Sequence, residues 1–148
     1  MKKTTIVAVL ALFSVLGAFA QRPDVSMRPI MSKAVDLIDL IEDSYDQEIV
    51  RMEFDIVTDN KETFRTLYEG IEYTVVAFAD DRVSDLDVRV YAWDSGDWTL
   101  VKKDSDSSDV AVVSLTPDET ARYKIVVSAY SFNSGYSAAH YGIIIFHE

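Results

Sequence analysis

The chain has 148 residues, with 14 Lys and Arg against 25 Asp and Glu, a net charge of −11 and no cysteine. This length allows one hydrophobic core of ordinary size. The lack of cysteine excludes disulfides, thiolate nucleophiles and cysteine-ligated metal centres. The negative charge argues against nucleic acid and anionic membranes as partners, because both require a basic surface.

The first twenty residues predict a secretory signal peptide. Met1-Lys2-Lys3 is the basic start, residues 6–16 are apolar, and Ala18-Phe19-Ala20 is a small-residue cleavage site. The apolar stretch is shorter than the ~20 residues of a membrane span, and no later stretch is long enough. We therefore expect cleavage after Ala20, no membrane anchor afterwards, and a periplasmic or secreted location. Two lysines and no acid leave with residues 1–20, so the mature net charge is −13.

An amphipathic helix is predicted for residues 29–45, within an N-terminal segment of residues 21–47. Pro29 suits the first helical turn, where its missing N–H costs nothing. Most acidic residues fall on one face, and the apolar residues recur every three or four positions on the other. These apolar residues are Ile30, Ala34, Leu37, Ile38, Ile41 and Tyr45. We expect this apolar face to pack against the domain that follows.

From residue 48 to residue 148 the apolar residues follow the two-residue period of β-strands. Short turn sequences such as Asp94-Ser95-Gly96-Asp97 separate the strand-like runs. The runs are rich in Val, Ile, Tyr and Phe and cover residues 50–56, 63–67, 71–79, 86–93, 98–103, 110–115, 123–130 and 141–147. The pattern predicts a mainly β protein, an antiparallel sandwich of seven or eight strands.

Several motifs follow one another between residues 63 and 146. They are Tyr68-Glu69-Gly70 before 71–75, the Ser84-Asp85-Leu86-Asp87-Val88 run to residue 91, the hairpin at 94–97, the acidic turn from Asp104, and segments 113–117, 121–127 and 141–144. In this order they resemble the bacterial pre-peptidase C-terminal domain family, whose relatives include collagen-binding modules of secreted collagenases. The resemblance implies a jelly-roll-like β-sandwich, usually an accessory to secreted peptidases, with no catalytic activity of its own.

Acidic side chains around the strand at 86–93 form a candidate calcium site, because calcium prefers six to eight oxygen ligands. The candidate ligands are Asp80, Asp81, Asp85 and Asp87, and a second acidic group contains Asp104, Asp106 and Asp109. Side chains alternate along a strand, so Asp85 and Asp87 share the face opposite Leu86. Two such carboxylates repel each other unless a cation lies nearby. The alternatives to a bound ion are Arg82 or Arg89, or water and the N–H groups of the turn.

Tyr91, Trp93 and Trp98 form a candidate ligand-binding platform. Tyr91 and Trp93 alternate on the face away from Val88 and Val90, and Trp98 follows across the 94–97 turn. Exposed aromatic platforms bind sugar rings or peptide segments through apolar area and stacking. From the sequence we favour the alternative, in which these residues form the sheet face that the predicted helix covers.

The sequence has no recognisable catalytic motif. Its histidines, His140 and His147, lie in no metal or triad motif, and no serine lies in a G-x-S-x-G elbow. We therefore expect a non-catalytic module that binds an extracytoplasmic protein or carbohydrate. The alternative is a structural component or accessory partner of a secreted hydrolase, stabilised by calcium. The sequence gives no indication of the oligomeric state.

Overall fold

The computed structural model describes residues 26–148, and the predicted signal peptide lies outside these residues. Helix α1 (Arg28–Asp39) continues into a π-helical turn (Leu40–Ser44). Eight strands follow: β1 (Glu48–Val57), β2 (Asn60–Leu67), β3 (Tyr73–Ala79), β4 (Val83–Asp94), β5 (Asp97–Asp104), β6 (Val110–Leu115), β7 (Ala121–Phe132) and β8 (Ala139–His147). All eight predicted strands are present, with ends that differ by up to three residues.

The strands form two antiparallel sheets of four. Sheet I has the order β1-β8-β3-β6, and sheet II has the order β2-β7-β4-β5. Each connection between consecutive strands crosses from one sheet to the other, except the β4–β5 hairpin. This is the strand order of a jelly roll, so the predicted mainly β sandwich with one N-terminal helix is confirmed.

The main core lies between the two sheets. Alternate side chains of β3, β4, β7 and β8 point into it, and the central ones, such as Val75, Val88, Ile125 and Ile143, are buried. Every residue of β5 is exposed or half-buried, so this strand forms an edge of sheet II without supplying the core.

A second, smaller core lies on the outer face of sheet I, beneath helix α1. Ile30, Ala34 and Ile41 of the helical segment pack there against side chains of β3 and β8, namely Val76, Phe78, Ile144 and Phe146. Lys33 fixes the helix further, because its Nζ donates to the Ala79 carbonyl oxygen at 3.0 Å and pairs with Asp109. The expected packing of the helix on the domain is confirmed. Within residues 26–148, no helix is long and apolar enough to cross a membrane.

The two faces of β1 have different roles. Met52 and Phe54 face the core beneath the helix, while Val57 reaches the main core. The charged side chains between them, Arg51, Glu53 and Asp55, pair among themselves and with Arg65 and Lys61 of β2. These ion pairs close the side of the sandwich where β1 and β2 form the two sheet edges.

Gly142 allows two phenylalanine rings to pack beneath the helix. It lies opposite Phe54 of β1 and opposite Phe78 of β3. The two rings meet edge to face, with 6.1 Å between their centroids and an interplanar angle of 85°. A Cβ atom at residue 142 would lie 2.4 Å from Phe78 Cζ. Because Phe78 is fully buried, its ring has no space into which it could move.

Replacing Ile30 with alanine should lower the free energy of unfolding by about 2–5 kcal/mol, because it opens a cavity beneath the helix. Chemical denaturation measures this change. Val35→Ala is the matched control, since Val35 lies in the same helix but is 52% exposed. This substitution should change the free energy of unfolding by less than about 0.5 kcal/mol. Equally small effects of both substitutions would contradict the packing of α1 on sheet I.

Candidate functional site

The three candidate platform residues lie together on the outer face of sheet II. Trp93 of β4 pairs directly with Trp98 of β5, and Tyr91 is two residues before Trp93 on the same face. The expectation that the helix covers them is wrong, because α1 packs on the outer face of sheet I. The apolar side chains of β3 and β8 on that face, among them Phe78 and Ile144, match the apolar stripe of the helix.

The aromatic rings hold one another in place. The Trp93 and Trp98 rings meet at a centroid distance of 5.0 Å and an angle of 64°, and Trp93 is 43% exposed. Phe64 lies 5.6 Å from Trp98, tilted by 48°. Because Phe64 is on β2 and Trp98 on β5, at opposite edges of sheet II, the Trp98 ring extends across the sheet. Such offset and edge-to-face contacts are favourable arrangements of aromatic rings.

Two cationic side chains of β7 lie over these rings. Lys124 Nζ is 4.8 Å from the centroid of Tyr91 and 5.2 Å from that of Trp98. Arg122 Cζ is 4.6 Å from the centroid of Phe64. Each contact at an exposed site contributes about 0.5–1 kcal/mol. We call the surface formed by Phe64, Tyr91, Trp93, Trp98, Arg122 and Lys124 the aromatic platform.

The platform contains a groove of about 430 Å³, which is lined by Phe64, Trp93, Trp98 and Arg122. The sequence did not indicate that two of these residues, Phe64 and Arg122, belong to the site. Alternation within β2 and β7 puts both on an outer face, but only the strand order brings them beside the tryptophans. The groove therefore combines exposed ring surface with a guanidinium group that can donate hydrogen bonds.

Asp80, one of the four candidate calcium ligands, is held by Arg82 and His140. Its buried carboxylate accepts hydrogen bonds from Arg82 Nε at 2.9 and 3.1 Å. The backbone N–H groups of Arg82 and His140 donate to it at 3.1 and 3.0 Å. Burial by itself raises the pKa of Asp80, but these hydrogen bonds and the Arg82 charge outweigh burial and lower the pKa below its usual value.

Asp87 has an arginine partner as well. Its buried carboxylate accepts a hydrogen bond from Arg89 Nη2 at 3.0 Å. Burial raises the pKa of Asp87, the Arg89 charge offsets part of this, and the nearby carboxylates of Asp85 and Asp104 add to the rise. One oxygen of Asp85, Oδ1, is buried without a hydrogen-bond partner among the described residues.

The remaining acidic residues are dispersed. Asp81 is exposed, Asp104 accepts hydrogen bonds from the backbone N–H groups of Asp106 and Val112, and Asp109 pairs with Lys33. Across residues 26–148 no group of three or more His, Asp or Glu side chains is placed to hold a metal ion. Calcium binding at Asp80, Asp81, Asp85 and Asp87 stays a prediction, and the arginines named as its alternative lie beside Asp80 and Asp87.

The two histidines occupy structural positions in β8. His140 Nδ1 is 2.7 Å from an Arg82 nitrogen, so the ring is part of the Asp80 network. The His147 ring packs edge to face on Tyr73, with 5.8 Å between the centroids.

No family model matches the chain, and no curated protein matches it. Solved structures share its fold. CorA, a surface-associated copper-binding protein important in copper acquisition by Methylomicrobium album BG8, gives a TM-score of 0.51 at 9% identity over 64% of this chain and 91% of CorA. The pre-peptidase C-terminal domain of a collagenase from Bacillus anthracis gives 0.50 at 5% identity over 64% of this chain and 87% of that domain. At such identities the likeness shows a β-sandwich fold alone.

Asp80→Asn should lower the free energy of unfolding at pH 7 by about 3–5 kcal/mol, because it removes the buried negative charge that the Arg82 guanidinium contacts. The folded-state pKa of Asp80 lies below the unfolded value, so its stabilising contribution is present above the unfolded pKa and is lost as the pH falls through the folded pKa. The difference in the free energy of unfolding between wild type and Asp80→Asn should therefore become smaller at acidic pH.

Chemical denaturation at a series of pH values tests this expectation. Asp81→Asn serves as the control, since the adjacent carboxylate is exposed and its loss should change stability by less than about 0.5 kcal/mol. A difference between wild type and Asp80→Asn that stays constant from neutral pH into acid would contradict the role of the Asp80 charge.

Proposed function

We propose that this chain is a non-catalytic binding module and that its ligand is a carbohydrate chain, bound outside the cytoplasm on the aromatic platform. The observation that supports this most is the Trp93–Trp98 pair on the face of sheet II opposite to the main core, in which Trp93 is exposed and Trp98 is half-buried. Sugar rings carry apolar C–H faces that stack on aromatic rings, while their hydroxyl groups need nearby hydrogen-bonding partners.

The side chains on the outer face of sheet II lie in rows across the strands. Phe64, Lys124 and Tyr91 lie side by side on β2, β7 and β4. A second row contains Asn60, Ser128 and Asp87. It lies four residues farther along each strand, about 13 Å from the first row. Asn60 is the exposed member of this second row, whereas Ser128 and Asp87 are buried. An extended ligand on the outer face of sheet II would therefore meet stacking groups on the aromatic platform and a hydrogen-bonding group at Asn60.

The polar row is itself ordered by hydrogen bonds. Ser128 Oγ donates to Asn60 Oδ1 at 2.5 Å and accepts from Arg89 Nη1 at 3.2 Å. Arg89 in turn donates to Asp87. Because Ser128 holds the exposed Asn60 side chain, Asn60 loses less side-chain entropy when it binds a ligand, which favours a binding role for this surface.

The proposal includes an extracytoplasmic location and descent from the pre-peptidase C-terminal domain family. The signal-peptide pattern of residues 1–20 supports the location. The ordered motifs of residues 63–146 support the relation to the family, together with the shared sandwich fold. In this proposal the module lacks catalytic activity of its own, as the resemblance implies.

A role as a structural component or accessory partner of a secreted hydrolase is the second candidate, and helix α1 favours it. Met27, Met31 and Val35 recur every four residues at the start of the helical segment and are exposed. They form an exposed apolar stripe along the helical segment, and exposed apolar stripes are typical of protein interfaces. Replacement of Met31 and Val35 by serine would disrupt such an interface without changing the aromatic platform.

Trp93→Ala should weaken carbohydrate binding about tenfold or more, because the side chain would no longer bury its apolar surface against the sugar. The binding of a panel of purified polysaccharides, namely cellulose, xylan, chitin and peptidoglycan, is measured by affinity electrophoresis or pull-down. Tyr45→Ala removes an aromatic side chain that is more exposed to solvent than Trp93 but lies outside the platform, and this variant should bind as wild type does.

Two results would contradict the proposal. One is a wild-type protein that binds none of the polysaccharides. The other is binding that Trp93→Ala and Tyr45→Ala leave equally strong, which would place the binding surface elsewhere. Loss of a co-purifying hydrolase in the Met31 and Val35 variant, with no polysaccharide bound by wild type, would favour the second candidate.

A further inference from the structure

A second cleft, of about 440 Å³, opens where the edge strands β1 and β2 approach each other. Its walls are mainly apolar and come from both sheets, with Val50, Leu67, Ile71, Tyr73 and Ile145 among the lining residues. Arg51 and Arg65 line it as well. Cavities of about 300–1,000 Å³ with apolar walls and a few polar groups are typical of small-molecule sites. The residues that line this cleft differ from those of the platform groove.

The charged groups of the cleft are unbalanced. Arg51 Nε lies 2.8 Å from Glu53 Oε1, and the Arg65 guanidinium contacts the same oxygen. Thr63 Oγ1 also donates to this oxygen, at 3.2 Å. Two guanidinium groups therefore share one carboxylate, in a chain whose net charge is −11.

Arg65 is the less satisfied of the two arginines. Its Nε atom is buried and has no hydrogen-bond partner among residues 26–148. Burial and the neighbouring Arg51 charge both lower the pKa of Arg65, which means that its positive charge is destabilised where it stands. An additional anion near this pair would relieve both effects, because it would reduce the Arg51–Arg65 repulsion and supply hydrogen-bond acceptors.

We propose that this cleft binds a small aliphatic carboxylate, independently of the carbohydrate surface. The hydrocarbon chain lies against Val50, Tyr68 and Ile71, the apolar lining residues with accessible surface. The carboxylate accepts hydrogen bonds from Arg51 and Arg65. The charge imbalance selects the anion, since a neutral ligand would leave the two guanidinium groups as they are and an amine would add to their repulsion. The accessible side chains of Val50 and Tyr68 select the hydrocarbon chain, since an inorganic anion would leave them in contact with water.

Titration of the protein with sodium octanoate below its micelle concentration tests this site. Chemical shift changes in a ¹H–¹⁵N spectrum should saturate and cluster at the residues that line the cleft. Octanol, with the same chain and no charge, should bind at least tenfold more weakly, because charge-assisted hydrogen bonds are lost. This comparison uses the wild-type protein and does not depend on any substitution.

Arg65→Met keeps an aliphatic stem but removes the charge, and it should weaken octanoate binding at least tenfold while octanol binding stays unchanged. Arg65→Lys should retain octanoate binding within a few-fold, and Arg122→Met, on the aromatic platform, should have no effect.

Three results would overturn the proposal: wild type without saturable octanoate binding, equal affinities for octanoate and octanol, or tighter binding of a short peptide with a C-terminal leucine than of octanoate. Polysaccharide binding, measured on the same samples, reports on the aromatic platform separately. One of the two binding proposals can therefore be contradicted while the other is supported.

Discussion

The packing of helix α1 on the outer face of sheet I is the interaction on which the rest of this structure depends. A jelly roll buries the inner faces of its two sheets against each other and leaves two outer faces. Val76, Phe78, Ile144 and Phe146 make one of these faces apolar, and exposing them would cost about 25 cal/mol for each Å² of apolar surface. Helix α1 removes this surface from water, and Gly142 permits the close approach of Phe54 and Phe78 beneath it.

The outer face of sheet II is stabilised in a different way. Its aromatic rings pack on one another, and Lys124 and Arg122 lie over them. The polar side chains farther along the face are tied to one another by hydrogen bonds. Within the described part of the chain, this face is ordered without a covering helix. That combination of order and exposure is the physical basis for the proposal that the aromatic platform binds a ligand.

Local patterns predicted most of the fold. The change from a helical period to a period of two is visible along the chain, so the helix and all eight strands were identified. The Trp93–Trp98 pair could be predicted too, because the sequence Asp94-Ser95-Gly96-Asp97 is typical of a short hairpin turn. In the structure Ser95 and Gly96 have φ angles of 51° and 102°, as two-residue hairpin turns require. Phe64 and Lys124 could not be predicted, since their place beside Tyr91 follows from long-range strand order.

The position of the helix was predicted wrongly, although the sequence contains a signal for it. Residues 73–79 and 141–146 are nearly continuous apolar runs, and both strands are buried on their two faces. Such runs are typical of strands that are covered on both sides. In contrast, β4 has charged residues at alternate positions 85, 87 and 89, and β7 has them at positions 122 and 124. The apolar runs of β3 and β8 therefore indicate that sheet I is the covered sheet. The Asp80–Arg82 pair, by contrast, is a local contact, which is why Arg82 could be named from the sequence.

The central claim is that the helix covers sheet I and leaves the platform on sheet II open to ligands. The chain has two tryptophans, Trp93 and Trp98, and both lie on the platform, so quenching of intrinsic fluorescence by acrylamide measures the exposure of this face directly. The account predicts emission that acrylamide quenches in the folded protein and that a bound polysaccharide protects. Blue-shifted emission that is insensitive to acrylamide and unchanged by every polysaccharide would contradict it.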